Sequence, residues 1–169
     1  MKGLRLSVMT IALALVLAAC GGSSKPAAPT SPPTTDPVAA KAAITSAWIQ
    51  LFDATKPAAV RLSGVQDGAA LGPVLAGFAK LASNTSATVS NVDLLVDPDC
   101  SSNLVSSPCA KVTYSILING ASSALTGSTG FGVLINGHWL VSKSTFCTLA
   151  GLANNGKQPA ECTASTSTT

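Results

Sequence analysis

The sequence predicts an α+β domain in which three N-terminal helices pack on a curved four-stranded antiparallel sheet. Two observations carry that expectation. Apolar residues recur at three- and four-residue spacing from residue 37 to about 82, and the period changes to two after Asn84. Asn136-Gly137, set between alternating apolar residues, is the strongest hairpin signal in the chain. Helices first and strands afterwards is the order expected when helices cover one face of an antiparallel sheet.

Asp36-Pro37 reads as a helix start, with Asp at the N-cap and Pro in the first turn, where its missing N–H does no harm. Ile44, Trp48, Leu51 and Phe52 then define an amphipathic helix over about 37–53. Lys56-Pro57 restarts a shorter helix through Val60 and Leu62. A third helix, about 70–82, is marked by Leu71, Val74, Leu75, Phe78 and Leu81, although Gly72, Pro73 and Gly77 weaken it. In the second half, Ala87, Val89, Val92, Leu94 and Val96 outline a strand with an irregularity near Ser90-Asn91. Lys111 to Asn119 is the next, with Val112, Tyr114, Ile116 and Ile118 on one face and Asn119-Gly120 as the turn. Leu125 to Ile135 follows, and Gly127, Gly130 and Gly132 within it suggest bulges or strong bending. The last strand is expected over His138 to Phe146. Wrapped around the long first helix, such a sheet would form a cystatin-like or nuclear-transport-factor-like cone.

Ahead of this domain the chain reads as an export signal. Lys2 and Arg5 precede a mostly apolar run from Leu6 to Leu17, about 12 residues and too short for an ordinary span of ~20. Leu17-Ala18-Ala19-Cys20 resembles a bacterial lipobox, which predicts cleavage of residues 1–19 and a diacylglyceryl anchor on Cys20. Cysteine parity agrees: of five cysteines, assigning Cys20 to lipid leaves four. Two acyl chains anchor stably where one would be marginal. Residues 20–36, rich in Ser, Thr and Pro, read as a tether that at ~3.1 Å per residue reaches roughly 50 Å. Residues 37–162 form the single domain, and 163–169 a disordered tail. The expected location is therefore extracytoplasmic and lipid-anchored to the cell membrane.

Charge narrows the partners. Without Lys2 and Arg5, eight basic side chains face seven acidic ones, with no basic cluster, so nucleic acid is not an expected partner. The remaining cysteines, Cys100, Cys109, Cys147 and Cys162, are spaced too widely for CxxC-type zinc pairs, and His138 is the single histidine. In an oxidising compartment disulfides are the expectation. Three connectivities are open, and Cys100–Cys109 with Cys147–Cys162 is the most economical. Asp97-Pro98-Asp99 lacks the further ligands of a calcium loop and reads as a turn. No G-x-S-x-G elbow occurs, and the glycines at 127–132 do not fit a phosphate loop.

Three stretches, AITSAWIQLFDATKPAAVRLSGVQDG, ATVSNVDL and AKVTYSILINGASSALTGSTGFGVLINGHWLVSKSTFCTLAGL, resemble the low-molecular-weight secreted antigen family of mycobacteria and their relatives. The similarity follows segment order over residues 38–153 and is most specific around Trp48, Phe52-Asp53 and Lys56-Pro57, and from Trp139 to Leu149. The resemblance implies a secreted or envelope protein with a cone-like fold, and it brings no catalytic residue set or cofactor. The chain departs from the family in residues 97–109, DPDCSSNLVSSPC, and in its lipobox.

The functional expectation is a non-catalytic interaction module that meets an envelope protein. The alternative is a carrier of a small apolar ligand in a helix–sheet pocket lined by Trp48, Phe52, Phe78 and Tyr114. Third comes an isomerase-like enzyme, whose acid–base players would be drawn from Asp53, Asp93 and Tyr114, with His138 lacking a recognisable partner.

Overall fold

A computed structural model describes residues 36–82, 85–122 and 125–163. The signal segment, Cys20 and the tether up to residue 35, and the tail from residue 164, lie outside the described residues.

Helix α1, Pro37–Phe52, starts as its first two residues dictate: the Asp36 carboxylate accepts from the Val38 and Ala39 amides at 2.9 and 3.2 Å. It buries Ala40, Ile44, Ala47, Trp48 and Leu51. Helix α2, Ala58–Leu62, follows Pro57, and a 3₁₀ turn at Gly68–Leu71 leads into α3, Gly72–Ala82. The sheet contains β1 (Thr85–Leu95), β2 (Cys109–Ile118), β3 (Ala121–Ser122), β4 (Ser128–Ile135) and β5 (His138–Val141). Four of them form the antiparallel path β1-β2-β4-β5, and the two-residue β3 extends the β2 turn. A one-turn helix α4, Asp99–Ser102, lies between β1 and β2.

The sheet curls into a half-barrel because α1 packs against both of its edges, β1 and β5. The concave face is the main core. Ala110, Val112, Tyr114 and Ile116 of β2 and Trp139 and Val141 of β5 close on Ile44, Trp48 and Leu51, with Leu71, Val74 and Leu75 sealing one side. The expected irregularity in β1 is a register shift between Val89 and Asn91. Asn136 and Gly137 both take positive φ, 50° and 79°, as a two-residue hairpin turn of the favoured twist demands.

Two expectations are corrected. The last strand does not run to Phe146: β5 ends at Val141, and Lys143–Ala153 forms helix α5. Ser142 makes the switch. Its backbone stays extended while its side chain accepts from the Thr145 amide at 3.2 Å, which makes it a helix N-cap. Nor are Gly130 and Gly132 bulges, since the β2–β4 register is continuous from Cys109↔Val133 to Tyr114↔Ser128. Gly130 is a place where a side chain has no room, and Gly132 one where a Cβ would just touch its neighbours. A Cβ on Gly130 would stand 2.6 Å from Thr145 Cγ2, 3.1 Å from Tyr114 Cε1 and 3.2 Å from Trp48 Cζ2. On Gly132 it would meet Trp48 Cζ3 at 3.6 Å.

Both expected disulfides form: Cys100–Cys109 and Cys147–Cys162, with Cα separations of 5.8 and 5.6 Å. The first closes the 97–109 segment over the back of the sheet, and the second ties the short helix α6, Ala160–Thr163, to α5.

Because the Trp48 indole, Tyr114 and Thr145 all crowd Gly130, Gly130→Ala is expected to destabilise the domain by about 1–3 kcal/mol. Gly77→Ala, whose Cβ meets nothing within 4 Å, should raise stability slightly through helix propensity. Paired urea denaturation curves check both, and equal midpoints for the Gly130 variant and the parent would contradict the packing described.

Candidate functional site

The sequence points to the space between α1 and the sheet, and side chains occupy it. Trp48 leaves α1 fully buried, and its ring lies 5.9 Å from the Tyr114 ring, tilted by 54°. Tyr114 is 2% exposed. Phe52, in the last turn of α1, is half-buried against the same core. Phe78 belongs to α3, and its side chain lies outside the described residues. Burial raises the Tyr114 hydroxyl from the usual tyrosine value of about 10 to about 12.

Two polar atoms in this interior have no protein partner. The indole N–H groups of Trp48 and Trp139 are both sealed from solvent and donate to nothing among the described residues. A buried donor left unmade costs on the order of 1–3 kcal/mol. Trp139 stands out only in the fold, because in the sequence it is one more apolar residue of a short strand.

The acid–base candidates do not converge on this space. Asp93 is exposed, pairs across β1–β2 with Lys111 and accepts from Asn91 Nδ2 at 2.9 Å. It lies on the convex face, whereas Tyr114 lies on the concave one. Asp53 caps the C-terminal end of α1, where hydrogen bonds from the Thr55 side chain and then the Thr55 amide lower its pKa, with Lys56 at 3.9 Å. His138 is half-buried at the start of β5, opposite Ile135. Among the described residues no group of three or more His, Cys, Asp or Glu side chains could hold a metal ion.

Arg61, which carries no local signal in the sequence, is 8% exposed and donates from Nε to the Leu51 carbonyl at 2.8 Å. It satisfies an orphan carbonyl at the end of α1 while burying its stem. Burial lowers its pKa and the nearby Asp53 opposes that shift. Gln50 reinforces the joint, donating to Val60 O and Ser63 Oγ.

The convex face carries a second apolar cluster. Cys100, Val105, Cys109 and Val133 are buried there, with Leu95, Phe131, Ile135 and Leu140 half-buried around them. Above it the disulfide loop presents Leu104, 90% exposed, with a backbone φ of 58°. That left-handed conformation costs a bulky residue roughly 1–2 kcal/mol. Among the described residues no helix is long and apolar enough to cross a membrane.

A family model for the low molecular weight antigen MTB12, C-terminal domain, matches residues 37–157. No curated protein and no solved structure matches the chain.

Tyr114 is the single tyrosine of the chain, so absorbance at 295 nm follows it alone. The folded protein should show half-ionisation near pH 12, against about 10 in strong denaturant. The sign follows: the contribution of this group to stability is complete below pH 10 and is lost as pH rises from 10 through 12. A midpoint near 10 in protein still folded by circular dichroism would place the hydroxyl in water.

Proposed function

Because the chain belongs to the low molecular weight antigen MTB12 family through its C-terminal domain, we propose that it is an extracytoplasmic, lipid-tethered module that acts by binding other envelope proteins and not by catalysis. Cys20 carries the diacylglyceryl group, residues 21–36 hold the domain clear of the lipid, and the domain recognises its partner with its outer surface.

The observation that supports this reading best is the filled interior. Where a half-barrel of this kind would keep a cavity, the indole of Trp48 lies against Gly130 and Gly132. The carboxylates Asp53 and Asp93 stand outside that space, so recognition falls to the surface. That surface is apolar in unusual places. Helix α1 carries one charged residue, Lys41, in 16, and leaves Val38 78% and Ile49 50% exposed.

One observation favours a second reading, carriage of a small ligand. The unpartnered indole donors of Trp48 and Trp139 would both be satisfied by a guest that is apolar overall and bears hydrogen-bond acceptors.

Cys20→Ala should move the protein from the membrane fraction to the soluble fraction or leave an uncleaved precursor, and intact mass should show the loss of the diacylglyceryl group. A mature wild-type protein with an unmodified Cys20 would remove the anchor from this proposal. Native mass spectrometry of protein extracted gently from its own membrane separates the two functional readings. A stoichiometric protein partner is expected, and a stoichiometric small molecule would replace the interaction module by the carrier.

A further inference from the structure

We propose that Cys147–Cys162 is a thiol–disulfide exchange site. A dithiol on a partner protein opens it and frees the C-terminal arm, residues 154–163, while Cys100–Cys109 stays closed.

The two bridges sit in opposite surroundings. Cys100 and Cys109 are both 0% exposed and share a small core with Val105 and Val133. The loop between them is pinned from within, since the Val105 amide donates to the Cys100 carbonyl at 3.1 Å. A nucleophile must lift that core before it meets either sulfur. Cys147 is almost as deep, in the middle of α5. Cys162 differs: it is half-buried, and it belongs to the four-residue helix α6, which has no buried residue. Attack on a disulfide depends on access to one of its sulfurs, so Cys162 is the side that reacts.

The arm is built to come away. Among the described residues, each hydrogen bond of residues 154–163 ends within residues 150–163. None stitches the arm to the 3₁₀ turn at Gly68–Leu71, although α6 lies against that turn. Cys162 is the residue of the arm that packs on the main core, and its bond to Cys147 holds it there. Helix α5 has its own attachments. It buries Phe146, Cys147, Ala150 and Gly151, its N-cap is Ser142, and Thr145 Oγ1 accepts from the Phe131 amide at 2.7 Å. Opening therefore detaches the arm and leaves α5 seated, which is local opening rather than unfolding. The apolar surface begun by Leu152, 57% exposed, then extends toward Cys147 and the turn at 68–71.

The chemistry closes with the dithiol as reductant. Its thiolate attacks Cys162 Sγ, the bond to Cys147 breaks, and the Cys147 thiolate leaves and takes up a proton. A buried neutral thiol behaves as a small apolar group, so Cys147 stays at ease in the core. The second thiol of the reductant then displaces Cys162, leaving a disulfide on the reductant and two thiols on this chain. Two electrons have passed from the dithiol to Cys147 and Cys162.

The test treats the folded protein in its exported form with dithiothreitol, quenches samples with iodoacetamide and maps the labelled peptides. Cys147 and Cys162 should be labelled at least ten-fold faster than Cys100 and Cys109, with the circular dichroism of the fold retained. Amide hydrogen exchange should then rise in residues 68–75 and 148–163 and stay unchanged in β2 and β4. A CxxC-type oxidoreductase whose second cysteine is serine should be trapped on Cys162. Cys162→Ser should fold and reproduce the exchange pattern of the reduced protein. Equal labelling of the two pairs, loss of the fold in step with labelling, or a trapped adduct on Cys147 would each overturn the proposal. So would a Cys162→Ser protein that is unfolded, because the arm would then be holding the domain together.

Discussion

An indole ring inside a curled sheet needs a stretch of wall without side chains, and most of this structure follows from how that need is met. Trp48 projects from α1 onto β4, where Gly130 and Gly132 leave the backbone bare on the concave side. The alternation of the strand places Phe131 between them on the other face, so the residues that thin the wall inside also build an apolar surface outside. The same ring stands 5.9 Å from the Tyr114 ring on β2, and Thr145 at the start of α5 shares the space over Gly130 with both. One large side chain therefore bears on both the packing of helix against sheet and the composition of β4.

Polar stitching then fixes the elements that this packing brings together. The Phe131 amide donates to Thr145 Oγ1 at 2.7 Å, and its carbonyl accepts from the Ser142 amide at 2.8 Å. The outer edge of β5 is closed by the 64–66 segment, in which Gly64 O and the Gln66 amide bond Val141 on both sides. Gln66 also accepts from the Lys143 amide at 3.0 Å. These bonds lie in a buried setting, where leaving a donor or acceptor unmade costs more than forming the bond gains. They specify one arrangement of the β5–α5 corner, which hydrophobic packing alone would leave open to alternatives.

The convex face follows a different logic. A half-barrel around a helix has one face to bury, and its back can remain polar, as it does at Asp93, Lys111 and Thr113. At one end of this sheet it is not polar, and a cross-linked loop with its own small core sits there.

The sequence by itself determined the elements whose causes are local. Asp36-Pro37 set the start of α1, Asn136-Gly137 set the β4–β5 hairpin, the break at Ser90-Asn91 marked the bulge, and short spacings favoured, among three open connectivities, the two disulfides that form. Each of these is decided by backbone conformations or loop closures spanning a few residues, which composition and spacing record. What only the tertiary structure decided depends on contacts between distant segments. Residues 142–146 are expected as the end of the last strand and become helix because the Ser142 side chain caps α5, while residues 64–66 take the edge of β5. Gly130 reads as a bend, yet a side chain there would crowd Thr145, Tyr114 and Trp48, the last more than 80 residues earlier in the chain. Arg61 and Trp139 carry no local signal, since burial of a guanidinium or an indole N–H is a property of the neighbours folded around it. Periodicity says which face of an element is apolar, and only the assembled core says what that face meets.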